Sequence, residues 1–277
     1  MSVQLTLDIL IATHTPAGIL RVADVVLPPI DRVRYIVSWQ SHGDAPIPPS
    51  LAGRPDVEIH RFDAIGQSHN RNNALAHAGG DIQLIADDDL IYTPERLQSV
   101  IHAFETHPQM EMALFRYDGP DTKTYPAAEC PIGQTLPKGY YASNIEIAIR
   151  RSSRAGALRY DPDFGIASPR WSLGEDAILL LTARRLGLNI RFFPITITTH
   201  PGHSTGTRPM SATGDLRATG ACISLEHPCS WPLRIPLKAW REWRRGRMAL
   251  LRGITQMTLG ALDATFRYTP PWKRPTP

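Results

Sequence analysis

The first half of the chain alternates between two hydrophobic periods. Short apolar runs, "LDILIAT" from Leu7, "VRYIVSW" from Val33 and "DIQLIA" from Asp81, read as buried strands. Between them "AGILRVADVVL" and "HNRNNALAHA" carry helical spacing, the first halted by Pro28-Pro29 and the second by Gly79-Gly80. A proline-rich loop, "GDAPIPPSLAGRPD", leads to a further strand candidate, "VEIHRF". Thr93 reads as an N-cap, with Pro94 at the first helical position of "PERLQSVIHAFE", and the strand "EMALFRY" follows. Strands alternating with helices predict an α/β fold whose mostly parallel sheet is covered on both faces.

After Asp118 the pattern loosens. "SNIEIAIRR" predicts a strand and "EDAILLLTARRLG" a helix. "NIRFFPITITTH" predicts a strand in which Pro194 forces an edge position or a bend. From Trp231 onward, Trp, Arg and Leu recur at helical spacing. The expected division is residues 1–230 as the α/β domain and 231–277 as a helical extension.

Composition refines this picture in three ways. With 42% apolar and 20% charged residues the chain is globular, and no apolar run reaches the ~18 residues of a membrane span. The opening "MSVQLTLDILIATH" has no basic leader, and Asp8 breaks its apolar part, so it predicts a first strand rather than a signal peptide. The three cysteines, Cys130, Cys222 and Cys229, lack metal-ligand spacing and suit a reducing cytoplasm. Charge is uneven: residues 231–277 hold ten Lys and Arg against Glu242 and Asp263, whereas the other 230 residues are net acidic.

The most informative stretch is "LIADDDLIY", Leu84 to Tyr92, where three aspartates end an apolar strand. In open α/β sheets ligands bind beyond the carboxyl ends of strands. Extended chain alternates its side chains, so Asp87 and Asp89 are expected on one side and Asp88 on the other. Paired carboxylates at such a point suit a hard divalent cation, which takes carboxylate and phosphate oxygens together. A turn or helix cap would need only one of the three.

The surrounding "NRNNALAHAGGDIQLIADDD" resembles the donor-site core of family 2 glycosyltransferases with the GT-A fold. In that family an Arg-Asn pair opens a helix, a Gly ends it, and a strand leads to an acidic motif; here these are Arg71-Asn72, Gly80 and Asp87-Asp88-Asp89. "DDLIYTPERL" is similar to the bacterial surface and spore-coat polysaccharide type. The resemblance implies a Rossmann-like GT-A catalytic domain over 1–230, with Arg71 and Asn72 at the donor nucleotide. It implies Asp88 near the ribose or pyrophosphate and Asp89 on Mg²⁺ or Mn²⁺; in the looser alignment Asp87 takes the nucleotide role, and it also stands as a metal ligand. "WSLGEDAILLLTARRLGLNIRFFP" is similar to the family's second motif, which implies Asp176, beside Glu175, as the general base for an acceptor hydroxyl. A carboxylate can take that proton as the glycosidic bond forms; acids in a first helical turn also simply favour the helix dipole.

In "THPGHSTGTR" the resemblance points to His200, ahead of His203, as a metal or pyrophosphate ligand. The loop "ATHTP" implies base contacts from Thr13 and His14. Where many members carry acids after the second strand, this chain has "VSWQSHGD", leaving Gln40 to hydrogen-bond the base. The expected enzyme is therefore a metal-dependent inverting glycosyltransferase. It would use a nucleotide-sugar donor, a UDP-sugar first, and a glycan or lipid-linked acceptor.

Other readings are weaker. "GHSTG" spells a hydrolase elbow at Ser204, with Asp215 and His227 in order, but Pro209 and Gly214 oppose the helix such an elbow needs. An aspartyl phosphotransferase would place its motif on the first strand. A non-catalytic nucleotide-sugar-binding module on the same fold is the remaining alternative. In the extension, Arg234, Lys238, Arg241 and Arg245 recur at helical spacing, and Leu250, Leu251, Ile254, Met257 and Ala261 form an apolar stripe. This predicts either a helix on an anionic membrane surface, peripheral to the inner face of the cytoplasmic membrane, or one packed on the protein. Nucleic acid is not expected, since no nucleic-acid fold signature accompanies the charge.

Overall fold

The apolar runs become strands β1 (Leu7–His14), β2 (Val33–Gln40), β3 (Val57–Phe62), β4 (Ile82–Asp87) and β5 (Met112–Asp118). Three more follow, β6 (Cys130–Ile132), β7 (Ile147–Arg150) and β8 (Ile190–Thr199). In this computed structural model, which describes residues 4–121, 123–202 and 212–274, these strands form one sheet of order β3-β2-β1-β4-β7-β5-β8-β6. The β1, β2, β3 and β4 pairings and the β5–β8 pairing are parallel, whereas β7 and β6 run antiparallel to their neighbours. Pro194 bends its strand rather than placing it at an edge. Strand β8 lies between β5 and β6, and its register against β5 jumps from Leu114↔Phe192 to Arg116↔Thr196.

Pleating sorts the side chains. Leu7, Ile9 and Ile11 join a core cluster with Ile19, Val22 and Val25 of α1 (Thr15–Val25) and with Leu97, Val100, Ile101 and Phe104 of α3 (Pro94–Thr106). The alternate residues face α2 (Gln67–His77): Asn73 Nδ2 donates to Ser38 Oγ at 2.8 Å, and Ser38 lies on the face that buries Leu10 and Ile36. The α3 cap forms as its sequence predicts, Thr93 accepting from Arg96 N after a proline start.

Asp8 anchors the far end of α2. Wholly buried, it receives Arg34 at 2.9 and 2.8 Å and the backbone N–H groups of Gly79 and Gly80 at 2.8 and 2.7 Å. A Cβ on Gly80 would lie 2.7 Å from Asp8 Oδ1, so glycine is required there for close approach to the carboxylate.

The chain divides into two compact units, residues 1–159 with 183–203, and residues 160–182 with 204–277. The boundary therefore does not fall at residue 230. The basic extension shares its unit with residues 160–182 and with a helix not predicted from the sequence, α5 (Thr213–Glu226). Helix α4 (Glu175–Arg185) follows Gly174 and ends before Gly187, which takes φ +66°.

In the second unit α6 (Trp231–Arg244) and α7 (Leu250–Arg267) follow α5. Helices α5 and α7 touch backbone to backbone: a Cβ on Gly220 would lie 1.9 Å from Met257 O, and one on Gly260 would lie 1.9 Å from Arg217 O. The buried stripe of α7 is Gly253, Met257, Gly260, Ala261 and Ala264. Of the predicted stripe, Met257 and Ala261 are buried, but Leu251 is 79% exposed. A second cluster gathers Phe164, Trp171 and Tyr268, with Trp171–Tyr268 ring centroids 5.0 Å apart.

Candidate functional site

The first unit gathers the acidic triplet, the β1 end and the β8 end at the carboxyl edge of the sheet. Ala12 pairs with Asp87, so Thr13 and Asp88 emerge side by side from adjacent parallel strands. Beyond the triplet, Ile91 and Thr199 exchange N–H···O bonds of 2.9 Å each way, and Thr198 Oγ1 donates to Ile91 O at 3.0 Å. These bonds bring the residue after β8, His200, to the residue that ends the triplet.

Each aspartate meets a different partner. Asp87 accepts from Arg71 Nη2 at 2.7 Å, and the Arg71 side chain is buried in α2. Asp88 has both oxygens engaged: Arg21 of α1 donates through Nε at 3.1 Å and Nη2 at 2.7 Å, and Thr13 Oγ1 donates to the same Oδ2. Asp87 is thus held from α2 and Asp88 from α1, the helix that packs against the opposite face. Asp89 lies where the chain has already turned, partly exposed, with His200 Nε2 3.4 Å from its Oδ2.

The electrostatics are unequal in consequence. Arginines offset the charges of Asp87 and Asp88. Burial pushes the Asp89 carboxyl above the ordinary carboxylate value, His200 opposes the shift, and Asp87 and Asp88 add to it. His200 Nδ1 lies 2.6 Å from the Gly202 carbonyl, which can only accept, so the proton sits on Nδ1. Nε2 is then the ring nitrogen that faces Asp89. A carboxylate and an imidazole nitrogen 3.4 Å apart fit a shared cation, and Asp89 with His200 are the residues that would hold it.

The other expected nucleotide contacts separate into three groups. Thr13 is buried, its hydroxyl spent on Asp88 and its carbonyl taken by Asn70 Nδ2 at 2.8 Å. His14 is exposed at the start of α1, and Asn72 is half-buried on α2. Gln40, 6% exposed, spends its amide hydrogens on the carbonyls of Ala64 and Gly66, so it braces the 64–66 loop and has only its Oε1 to offer a base.

Arg21 and Asn70 were not singled out from the sequence. The available signal was positional, a lone cation in the first helix and an Asn directly before the Arg-Asn pair. In the second unit Glu175 is buried and Asp176 half-buried at the start of α4. Gly174 turns the chain into that helix with φ +98°, and a Cβ there would lie 2.5 Å from Cys222 Sγ. Ser204 and His203 lie outside the described residues. Asp215, the acid of the hydrolase reading, accepts instead from Ser172 Oγ at 2.7 Å.

Residues 50–163 match the family model described as glycosyl transferase family 2. Among solved structures the chain is similar to S. aureus TarS 1–349 in complex with UDP, at 13% identity and TM-score 0.57, covering 94% of this chain and 83% of that one. It is also similar to S. aureus TarS 1–349 in complex with UDP-GlcNAc, at 11% identity and TM-score 0.58, covering 94% and 89%. No curated protein matches the chain by sequence.

Proposed function

Because this chain carries a family 2 glycosyl transferase domain on a GT-A fold, we propose that it moves a sugar from a UDP-sugar to a hydroxyl of a glycan or lipid-linked acceptor, with inversion and with Mg²⁺ or Mn²⁺ at Asp89 and His200. The observation that carries this is the division of labour in the triplet. Two carboxylates are satisfied by arginines within the protein, and among the described residues the third faces only the His200 imidazole, Nε2 to Oδ2 at 3.4 Å. The choice of UDP rests on the fold shared with proteins solved with UDP and UDP-GlcNAc.

A divalent cation bound there supplies charge neutralisation of the departing diphosphate. The chain's own groups do the rest. Arg71, fixed by Asp87, presents a cation at the strand end, and Arg21 with Thr13 keeps Asp88 from adding a second uncompensated charge. Asp176 takes the acceptor proton as the hydroxyl oxygen attacks the anomeric carbon and the nucleoside diphosphate departs from the opposite face.

Asp89→Ala tests the cation site. Calorimetry with UDP should give Mn²⁺-dependent binding in the parent chain and an affinity loss of about 100-fold or more in the variant, because even outer partners of metal ligands are worth 10–100-fold. Unchanged Mn²⁺-dependent binding would remove Asp89 from the site.

The extension supports a peripheral membrane position through α6. No helix among the described residues is long and apolar enough to cross a membrane. Yet α6 exposes Leu233 (80%), Leu237, Trp240 and Trp243, with Arg234, Arg241 and Arg244 also at its surface. Apolar and aromatic side chains flanked by arginines suit the interface of an anionic bilayer. Leu233→Glu with Trp243→Glu should release the protein from phosphatidylserine vesicles in a flotation assay while leaving its thermal melt unchanged. Equal flotation of parent and variant would exclude this face.

A further inference from the structure

Helix α3 begins just past the acidic triplet and sends Arg96 across the ends of two strands. Arg96 Nη1 donates to Thr199 Oγ1 at 2.7 Å, and Nη2 donates to Asp118 Oδ2 at 3.1 Å. Asp118 and Thr199 are the last residues of β5 and β8 and stand opposite one another in the parallel pair. We propose that Arg96 is a positioning residue, which locks these two strand ends so that His200, the residue after β8, faces Asp89. The proposal rests on the reading of Asp89 and His200 as the cation ligands.

The ladder alone does not fix His200. The register of β8 against β5 shifts twice, between Leu114 and Arg116 and between Arg116 and Tyr117. Side chains alternate along a strand, so a slip of one residue there would turn His200 to the opposite face. Arg96 grips both strands beyond the second shift, where the final register is set. Its own place is fixed by the start of α3, where its N–H donates to the Thr93 cap at 3.4 Å in a turn opened by Pro94. A planar guanidinium suits this task, because its fork holds two acceptors in one geometry, as a lysine ammonium would not.

His200 is coupled to the grip through its backbone. Its N–H donates to the Asp118 carbonyl at 2.8 Å, so Asp118 holds Arg96 with its carboxylate and His200 with its main chain. A Cβ on Gly119 would lie 2.8 Å from the His200 carbonyl, so the chain after β5 also passes close to this residue. The Tyr117 ring meets the imidazole edge-on, with centroids 6.3 Å apart. Moving Asp118 away from Thr199 therefore moves the imidazole whose Nε2 lies 3.4 Å from Asp89 Oδ2.

Stability does not account for the clamp. The Asp118 side chain is 59% exposed, and an ion pair this open to solvent contributes little to folding. Positioning and stability can therefore be separated by experiment.

The full chain, saturated with Mn²⁺ and UDP, supplies the test. A coordinated imidazole nitrogen modulates the electron spin echo of Mn²⁺. That modulation should be present in the parent chain and absent from His200→Ala. Arg96→Ala and Thr199→Val should each weaken it and lower Mn²⁺ affinity about tenfold, the low end for an outer partner of a metal ligand. The metal-free melting temperature of both variants should stay within about 3 °C of the parent, as loss of exposed pairing predicts. Should Arg96→Ala melt lower than that, Thr199→Val, which keeps the Arg96–Asp118 pair, decides. Parent-level modulation and affinity in the variants would overturn the proposal. Lower affinity with the modulation intact would overturn it as well, because Arg96 would then be meeting the diphosphate directly. A parent chain without nitrogen modulation would instead overturn the cation reading of His200 itself, and the role of Arg96 with it.

Discussion

Asp176→Asn should bind donor as the parent does and should transfer no sugar at a useful rate. The amide keeps the shape of the carboxylate but cannot take a proton from the acceptor hydroxyl. General-base catalysis contributes roughly 10²–10⁴-fold, so single-turnover transfer should fall by that factor while the UDP dissociation constant stays within about twofold. The substitution is mild for the fold, because Asp176 is half-buried at the first turn of α4. There Gly174 already fixes the chain direction through its positive φ and its approach to Cys222. Near-normal transfer by the variant would move the base elsewhere, with Glu175 the adjacent carboxylate to test. Loss of UDP binding in parallel would instead assign Asp176 to donor recognition.

Gly260→Ala should destabilise the protein even though alanine is the better helix former. In an open helix the exchange gains about 1 kcal/mol. Here the added methyl would lie 1.9 Å from the Arg217 carbonyl, against backbone that has no rotamer to move. Overpacking of this kind costs about 1–3 kcal/mol or more, so the net change should be a loss, read as a lower urea midpoint. Gly220→Ala should do the same from the other helix, since its Cβ would meet the Met257 carbonyl at the same 1.9 Å. Because both substitutions force apart one crossing, the double variant should lose less than the sum of the two. A raised midpoint in either single variant would mean that the helices accommodate a methyl at the crossing.

The sequence revealed the elements whose side chains announce them. Strands β1, β2, β4 and β5 are mostly apolar runs, and α3 begins at the threonine and proline that cap it. The acidic triplet was visible because charge at a strand end is conspicuous, but the chain turns after Asp87, so the pleat could not place Asp89. Helix α5 was missed for a physical reason. It packs through Gly220 and other small residues, so its buried face carries no apolar periodicity and its glycines look like breaks. The predicted strand at "SNIEIAIRR" is half as long as its apolar pattern, because Asn144–Glu146 form a 3-10 turn. There Glu146 is fully buried against Lys123, a pairing between segments that no local pattern records. The loop-bracing bonds of Gln40 Nε2 to Ala64 and Gly66 were hidden in the same way.

The antiparallel strand β7 has a consequence for how the chain reaches this structure. It sits between β4 and β5 and hydrogen-bonds to both, yet it follows both in sequence. Strands β1 to β4 can assemble as successive parallel crossover units while the chain emerges from the ribosome. The open side of β4 must then wait for β7, and β5 cannot join that side directly. Until Ile147–Arg150 inserts, the nascent sheet carries a bare edge along Ile82–Leu84 of β4, and such unpaired edges invite aggregation. Joining the β4 side of the sheet to the β5 side thereby depends on the arrival of a four-residue strand.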